Sequence, residues 1–226
     1  MWSIVFLFIN YVVAFKHYAV TNNPNHINVQ YLNISTNYQL SIIQANETEW
    51  RNSLKLDYYK LELEKIPYNE IVLLTDSFDV ILIDNYDSII NKFLEFSVDI
   101  LISAESKKWP SYVKNYNNKE LVFPYLNSGA IIGYAGPILN TIQRGYDISH
   151  GDQYSWTIWY LEPKNNITIV LDHNNDIFIS MFKVSNNDIQ KHPFKHKYTT
   201  GYPKIIHFNG HKNGYINYVK EYVLNK

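Results

Sequence analysis

Short apolar runs alternate along this chain with segments that have the pattern of helices. The run Ile71–Asp76, with the sequence I-V-L-L-T-D, is typical of a strand that is buried on both faces. A predicted helix at Tyr86–Phe96 follows it. The predicted strands are His17–Thr21, Asn28–Ile34, Ile71–Asp76, Val98–Ala104, Leu126–Tyr134, Ile167–Asp172 and Lys204–His207. The predicted helices are Glu47–Ile66, Tyr86–Phe96, Gly136–Tyr146, Asp152–Leu161 and Tyr215–Leu224. This alternation predicts an α/β fold, and the varied character of the strands predicts a mixed sheet. We find no internal repeat or linker, so residues 17–226 are predicted to form one domain.

The first sixteen residues, 1–16, are almost wholly apolar until Lys16. This run is shorter than the roughly 20 residues of a transmembrane helix. It suits a signal peptide or signal anchor, although no basic residue precedes it and no A-x-A cleavage motif is evident. The alternative is an extra strand or helix packed on the domain. Membrane contact is therefore expected only if this segment is retained.

Three N-glycosylation sequons begin at Asn33, Asn46 and Asn166. They are compatible with a secretory route, so the lumen of the endoplasmic reticulum is the predicted location. A cytoplasmic location, in a viral factory, is the alternative.

The composition excludes several classes of function. Net charge is −1, with 20 basic and 21 acidic residues. The sequence contains no stripe of basic residues of the kind that would predict a nucleic-acid partner. The chain has no cysteine, which excludes disulfides, thiol catalysis and cysteine-bound zinc. With 226 residues, 46% of them hydrophobic, the chain is long and apolar enough to bury a sizeable core.

Two aspartates lie where the most apolar strand ends. Asp76 and Asp79 are three residues apart in T-D-S-F-D-V, and a loop that leaves a strand can turn both carboxylates toward one point. Oxygen ligands of this kind suit Mg²⁺ or Mn²⁺, and an added imidazole favours Mn²⁺. The alternative is structural: Asp79 caps the following turn and Asp76 is solvated.

A second strand end lies far along the chain, in P-K-I-I-H-F-N-G-H-K-N-G. His207 ends this strand and is predicted to enter the same edge of the sheet as Asp76. Asn209 and Gly210 form a tight turn whose N–H groups face a phosphate in this interpretation, and Lys212 supplies a cation. The alternative for His207 is a hydrogen-bonded histidine at a strand end.

Three further segments carry polar residues next to predicted elements. For Asp152, one of these polar residues, the alternative interpretation is that it caps a helix. The segments are Ser103–Pro110 with a carboxylate and Trp109, Tyr125–Ala135 with Asn127 and Ser128, and His150–Thr157 with Asp152 and Gln153.

Taken in this order, the segments resemble the glycosyltransferase domain of the multifunctional procollagen lysyl hydroxylases and of related procollagen glycosyltransferases. The resemblance runs from roughly residue 49 to the C-terminus. It indicates a stand-alone member with an A+T-rich coding sequence, for which a virus is one candidate source. The matching motifs are E-W-R, T-D-S-F-D-V-I, S-A-E-S-x-x-W-P, L-N-S-G-x-x-I-G-Y-A, D-Q-x-x-x-T, L-D-H-x-x-x-I-F and H-x-N-G.

The resemblance implies a GT-A type, Rossmann-like fold that binds a UDP-sugar through Mn²⁺. By the same resemblance, three groups of residues form the site. They are the metal ligands Asp76, Asp79 and His207, the donor-binding residues Trp50, Thr75, Asp76, Gly210 and Lys212, and the residues around the reacting sugar, Trp109, Asn127 and Asp152.

The implied reaction is transfer of a hexose, in the first place glucose from UDP-glucose, to galactosyl-hydroxylysine in a collagen-like polypeptide. One alternative is transfer of galactose from UDP-galactose to hydroxylysine. Another is a non-catalytic subunit that binds a UDP-sugar.

Three departures from the family pattern affect these expectations. Gly151 stands where the family has one of a run of aspartates, and Asn213 stands where it has a basic residue, with Lys212 one position earlier. The glycine-rich segment that follows W-R in the family is missing after Arg51. We therefore expect weaker retention of the donor or a more open site.

Overall fold

The computed structural model describes residues 14–47, 49–113, 120–210 and 214–225. The strands are β1 (Phe15–Thr21), β2 (Ser41–Gln44), β3 (Ile71–Thr75), β4 (Val80–Leu82), β5 (Ile100–Glu105), β6 (Tyr125–Tyr134), β7 (Ile169–Asp172), β8 (Phe178–Ser180), β9 (Ile189–Lys191), β10 (Phe194–His196) and β11 (Ile205–His207). The helices are α1 (Ile27–Ser35), α2 (Leu54–Leu63), α3 (Tyr86–Phe96), α4 (Ala135–Ile142), α5 (Asp152–Leu161) and α6 (Tyr215–Val219), which a π-helical turn at Lys220–Leu224 continues.

A six-stranded mixed sheet lies at the centre, in the order β2-β1-β3-β6-β5-β7. β1 runs parallel to β2 and β3, and β5 runs parallel to β7. β6 is antiparallel to both of its neighbours, β3 and β5. A three-stranded sheet, β4-β11-β8, and the antiparallel pair β9-β10 are separate. The predicted α/β fold with a mixed central sheet is confirmed.

The apolar run of β3 is explained by burial on both faces of the sheet. Its residues 71–74 are each at most 1% exposed. Val72 and Leu74 pack in one hydrophobic cluster, whereas Ile71 and Leu73 pack in the other. A strand covered on both faces needs apolar residues at every position, so it reads as a continuous run.

The predicted strand at Asn28–Ile34 is wrong, because these residues lie in helix α1. Val29 and Leu32 are its buried apolar residues, and a spacing of three places them on one helical face. The ring of His26 accepts a hydrogen bond from the Asn28 N–H at 3.1 Å, which caps the helix. The apparent alternation along this segment did not distinguish a short helix from a strand.

The predicted helix Glu47–Ile66 begins only at Leu54, in α2. Trp50 therefore lies before the helix, and Leu61 is 54% exposed. The buried positions of α2 are Lys55, Leu56, Tyr59 and Leu63.

The predicted segment 1–16 falls mostly outside the described residues, which start at residue 14. Phe15 and Lys16 already belong to β1, where they pair with Ile71 and Val72 of β3. Among the residues that the structure describes, no helix is long and apolar enough to cross a membrane.

Candidate functional site

Three predicted metal ligands, from two distant parts of the chain, meet at one edge of the central sheet. One ligand atom each from Asp76, Asp79 and His207 lies within 4.8 Å of the other two. The His207 Nε2 atom is 3.5 Å from Asp76 Oδ2 and 3.3 Å from Asp79 Oδ1. The two carboxylates and the imidazole therefore face a common centre.

Backbone pairing fixes the positions of these three residues. Asp76 follows the last residue of β3, and its N–H donates to the Gly129 carbonyl of β6 at 2.8 Å. β11 is antiparallel to β4, which places His207 opposite Val80, the residue after Asp79. The Phe208 N–H then donates to the Asp79 carbonyl at 2.7 Å. The short strand β4 thus brings the two halves of the site together.

The side chain of Asn127 sets the tautomer of His207. The Asn127 Oδ1 atom accepts the Gly129 N–H at 3.1 Å and lies 2.8 Å from His207 Nδ1. A backbone N–H is only a donor, so the atom that faces His207 is the oxygen, and Nδ1 must carry the proton. In the neutral ring, the lone pair is then on Nε2, which faces the two carboxylates.

The Nε2 atom of His207 is buried and has no hydrogen-bond partner among the described residues. A lone pair aimed at two carboxylates is unfavourable unless a positive charge lies between them. Burial opposes a charge on the ring, but the Asp79 and Asp76 carboxylates outweigh it and raise the pKa of His207. A divalent cation would supply the same charge, so these residues fit a metal ion of the kind that oxygen and imidazole ligands hold.

Gly129 leaves the space that the His207 ring occupies. A Cβ atom at this position would lie 2.0 Å from His207 Cε1, far inside van der Waals contact. Glycine in the N-S-G segment is therefore required by the packing of the His207 ring. This glycine is a residue of the site that we did not single out from the sequence.

A buried lysine joins Asp76 to Asp152. The Lys55 ammonium donates to Asp76 in a short contact and lies 2.9 Å from Asp152 Oδ2. Burial opposes its charge, but the carboxylates of Asp152 and Asp76 raise the pKa of Lys55 well above its ordinary value. Lys55 was not recognised as a site residue from the sequence, although its spacing of four from Tyr59 was a usable signal for a polar residue on the buried face of α2.

Glu105, at the end of β5, connects two further parts of the site. Its carboxylate accepts hydrogen bonds from Gln153 Nε2 at 2.6 Å and Asn209 Nδ2 at 3.0 Å. Burial raises its pKa to about 6. The carboxylate thereby ties the start of α5 to the turn that follows β11.

These residues line one cavity of about 840 Å³, a size that fits a nucleotide-sized ligand. Its walls come from the ends of β3, β5, β6 and β11 and from the first turns of α2 and α5. Such an edge, outside the ends of central strands, is where α/β folds bind ligands.

The sequence model of one family, described as "PLOD GT domain", matches residues 11–226. The chain belongs to the PLOD GT domain family. It is 30% identical over 186 residues to the rat "Multifunctional procollagen lysine hydroxylase and glycosyltransferase LH3", covering 76% of this chain and 25% of that protein. It is 29% identical over 184 residues to "Uncharacterized protein R699" of Acanthamoeba polyphaga mimivirus, covering 79% of this chain and 40% of that protein. The chain thus spans well under half the length of these relatives.

A solved glycosyltransferase "involved in the glycosylation of the major capsid of PBCV-1" has a similar fold. The TM-score is 0.53 at 13% identity, over 93% of this chain and 99% of that one. The predicted GT-A type fold of this PLOD GT domain is therefore confirmed.

An exposed aromatic group borders the cavity of the PLOD GT domain. We define the aromatic rim as Trp109, Tyr112, His150 and Tyr154. The His150 ring lies 4.6 Å from that of Tyr154 and 6.1 Å from that of Tyr112, centroid to centroid. Trp109 and His150 line the cavity, and Trp109 is 61% exposed.

Only some of the donor-binding residues that the resemblance implied line the cavity. Asp76 and Gly210 line the cavity, and Gly210 has a φ of 66°, which glycine adopts without strain. Thr75 is buried, with its hydroxyl 2.9 Å from His17 Nε2. The Trp50 indole donates to Asn52 at 3.0 Å, next to the cavity wall but not in it. Lys212 lies outside the described residues.

Proposed function

We propose that this chain is a metal-dependent glycosyltransferase that moves a hexose from a UDP-sugar to a hydroxyl acceptor. In its most specific form, the donor is UDP-glucose, the acceptor is galactosyl-hydroxylysine of a collagen-like polypeptide, and the anomeric configuration is retained. The observation that carries the proposal is the buried Nε2 atom of His207, which makes no hydrogen bond and lies 3.5 Å from Asp76 and 3.3 Å from Asp79 in a nucleotide-sized cavity. Membership of the PLOD GT family supports it.

Asp76, Asp79 and His207 would hold the cation, with Mn²⁺ as the proposed ion. Three protein ligands leave positions of such an ion open to oxygen atoms of a substrate. When bound, the cation would neutralise the diphosphate and make UDP a better leaving group. Asn127 fixes the ring of His207 in the tautomer that this requires.

Asp152 is the proposed contact of the hexose or acceptor hydroxyls. It is buried at the start of α5 and its carboxylate is held by Lys55, which also holds Asp76. A single ammonium group thus orients one carboxylate at the metal and one beside it. Such preorganisation keeps the reacting groups in register without reorganisation of solvent.

The Gly210 turn and Lys212 are proposed to face the diphosphate, and Trp50 the uridine. Trp109 is proposed to contact the acceptor or the donor sugar from the rim. The first sixteen residues and the sequons support a secretory location for the reaction, which stays a prediction.

The test is a panel of UDP-sugars with Mn²⁺, with and without peptides that carry hydroxylysine or galactosyl-hydroxylysine. Release of UDP with glucose transfer to the galactosylated peptide is expected, and Asp79→Asn should reduce it at least about 100-fold, since even outer contacts of a metal site are worth 10- to 100-fold. Metal-independent binding of UDP, measured by calorimetry, would contradict the metal assignment.

The same panel separates the alternatives. Transfer of galactose to the unmodified hydroxylysine peptide would identify the other acceptor. Tight UDP-sugar binding without turnover on any peptide would indicate a non-catalytic subunit.

A further inference from the structure

Among the described charged side chains that line the cavity, one cation forms no ion pair. Among the described lining residues, four are carboxylates and three carry a permanent positive charge. The carboxylates are Asp76, Asp79, Glu105 and Asp152, and the cations are Arg51, Lys55 and Lys107.

Two of these cations already have acidic neighbours. Lys55 is buried between Asp76 and Asp152 and cannot leave either without exposing an unpaired carboxylate. Arg51 lies 4.0 Å from Glu49 at the protein surface. Within the described part of the chain, no ion pair involves Lys107.

A bound diphosphate would need more positive charge than the metal ion supplies, because the carboxylates that hold the ion already neutralise it. A divalent cation between Asp76 and Asp79 balances only the two carboxylates that hold it. The diphosphate adds at least two negative charges beside them, at a distance where like charges repel strongly. A further cation at the diphosphate end of the cavity offsets that repulsion.

Lys107 is placed at this end. Its ammonium lies 5.6 Å from the ring centroid of Phe182, which also lines the cavity. Phe182 packs directly under Gly210, since a Cβ atom there would be 2.8 Å from the Phe182 ring. Gly210 is three residues beyond the metal ligand His207.

The segment that carries Phe182 is fixed on both sides. Its N–H donates to Asn209 Oδ1 at 3.2 Å, and its carbonyl accepts the Ser106 hydroxyl at 3.0 Å. Ser106 is the residue before Lys107. Its hydrogen bond to Phe182 therefore holds the backbone next to Lys107 against the segment that carries the Phe182 ring. The aromatic ring offers a weak electrostatic contact that an anionic ligand easily replaces.

We propose that Lys107 binds the diphosphate of the donor nucleotide from the side of the cavity formed by Phe182 and Gly210, in addition to the proposed contact of Lys212. The inference rests on the proposed function and adds a residue to it. Lys183 lies 6.0 Å from the same ring but is not part of the cavity lining, so it is a matched control.

The experiment is calorimetric titration of the full chain with UDP and with UMP in the presence of Mn²⁺. Lys107→Gln should weaken UDP binding at least about 10-fold, in the range of one hydrogen bond to a charged group, and weaken UMP binding less. Lys107→Arg should stay within about twofold of the wild type, because it keeps the charge. Lys183→Gln should bind UDP as the wild type does.

Equal binding of UDP by the wild type and Lys107→Gln would overturn the assignment. So would equal losses in Lys107→Gln and Lys183→Gln, which would indicate a general surface-charge effect. Failure of the wild type to bind UDP would instead reject the proposed function together with this inference. Lys107 is exposed, so unchanged thermal unfolding of Lys107→Gln is the expected check on folding.

Discussion

The two ends of the cavity are built in opposite ways. We define the metal end as Asp76, Asp79, His207 and Asn127. His207 and Asn127 are only 3% and 2% exposed, and backbone hydrogen bonds with neighbouring strands hold Asp76, Asp79 and His207. In the aromatic rim, Trp109 and Tyr112 are 61% and 58% exposed on a segment outside the strands and helices, whereas Tyr154 lies in α5.

This difference matches two requirements: residues that hold a metal must be rigid, whereas residues that contact an acceptor can vary. Metal ligands must be held within fractions of an ångström, which packed strands and second contacts achieve. Exposed aromatic rings on loops adapt to a partner at little cost to the fold. Under the proposed function, the metal end performs the chemistry and the aromatic rim selects the acceptor.

The largest effect is expected where the metal end has no spare volume. Gly129→Ala should abolish Mn²⁺ binding, because its Cβ atom would displace the His207 ring. Calorimetry with Mn²⁺ measures this, and the prediction is a loss of at least about 100-fold in affinity. Gly214→Ala is the control, since its nearest contact, with Tyr218, would be an ordinary 3.7 Å. Wild-type metal affinity in Gly129→Ala would show that the metal end tolerates movement.

Removal of the buried cation should be the next largest effect. Lys55→Met leaves Asp76 and Asp152 without their shared partner, and a loss of about 3 kcal/mol in the free energy of unfolding is expected. Urea denaturation in the presence of a chelator measures it without a contribution from metal. The double variant Lys55→Met/Asp152→Asn should recover part of the loss. A Lys55→Met protein as stable as the wild type would contradict the bridging role.

A smaller, pH-dependent effect is expected at Glu105, which connects the two ends through Gln153 and Asn209. Because burial raises its pKa to about 6, folding favours the protonated acid. Its contribution to stability is therefore complete below about pH 4.5 and is lost as pH rises through about 6, by no more than about 2 kcal/mol. In chelator, thermal unfolding of Glu105→Gln should depend less on pH between 5 and 7 than that of the wild type. Parallel curves would show that Glu105 ionises normally.

The smallest effect is expected at the aromatic rim. Trp109→Ala should raise the KM for the acceptor peptide about fivefold, the equivalent of about 1 kcal/mol of aromatic contact, and leave UDP binding unchanged. Tyr198→Ala, at 68% exposed and outside the cavity lining, is the control. An equal loss of UDP affinity in Trp109→Ala would mean that the rim and the metal end are not independent.

The sequence predicted much of the fold because burial on both faces leaves a visible pattern. The all-apolar β3 and the helix at Tyr86–Phe96 were recognised with nearly the observed ends. Strand β4, three residues long, was passed over because it follows Asp79 with no break in the sequence. Its pairing with β11 is long-range, and local pattern carries no record of it.

The candidate ligands and their order can be recognised in the sequence alone: two aspartates follow a buried strand, and a histidine ends another strand. Three features are visible only in the folded molecule: these residues share a centre, Asn127 Oδ1 turns His207 Nε2 toward two carboxylates, and Lys55 is buried between Asp76 and Asp152. The physical reason is that ligand chemistry belongs to single residues, whereas burial, tautomer and charge balance are properties of neighbours that lie far apart in the chain.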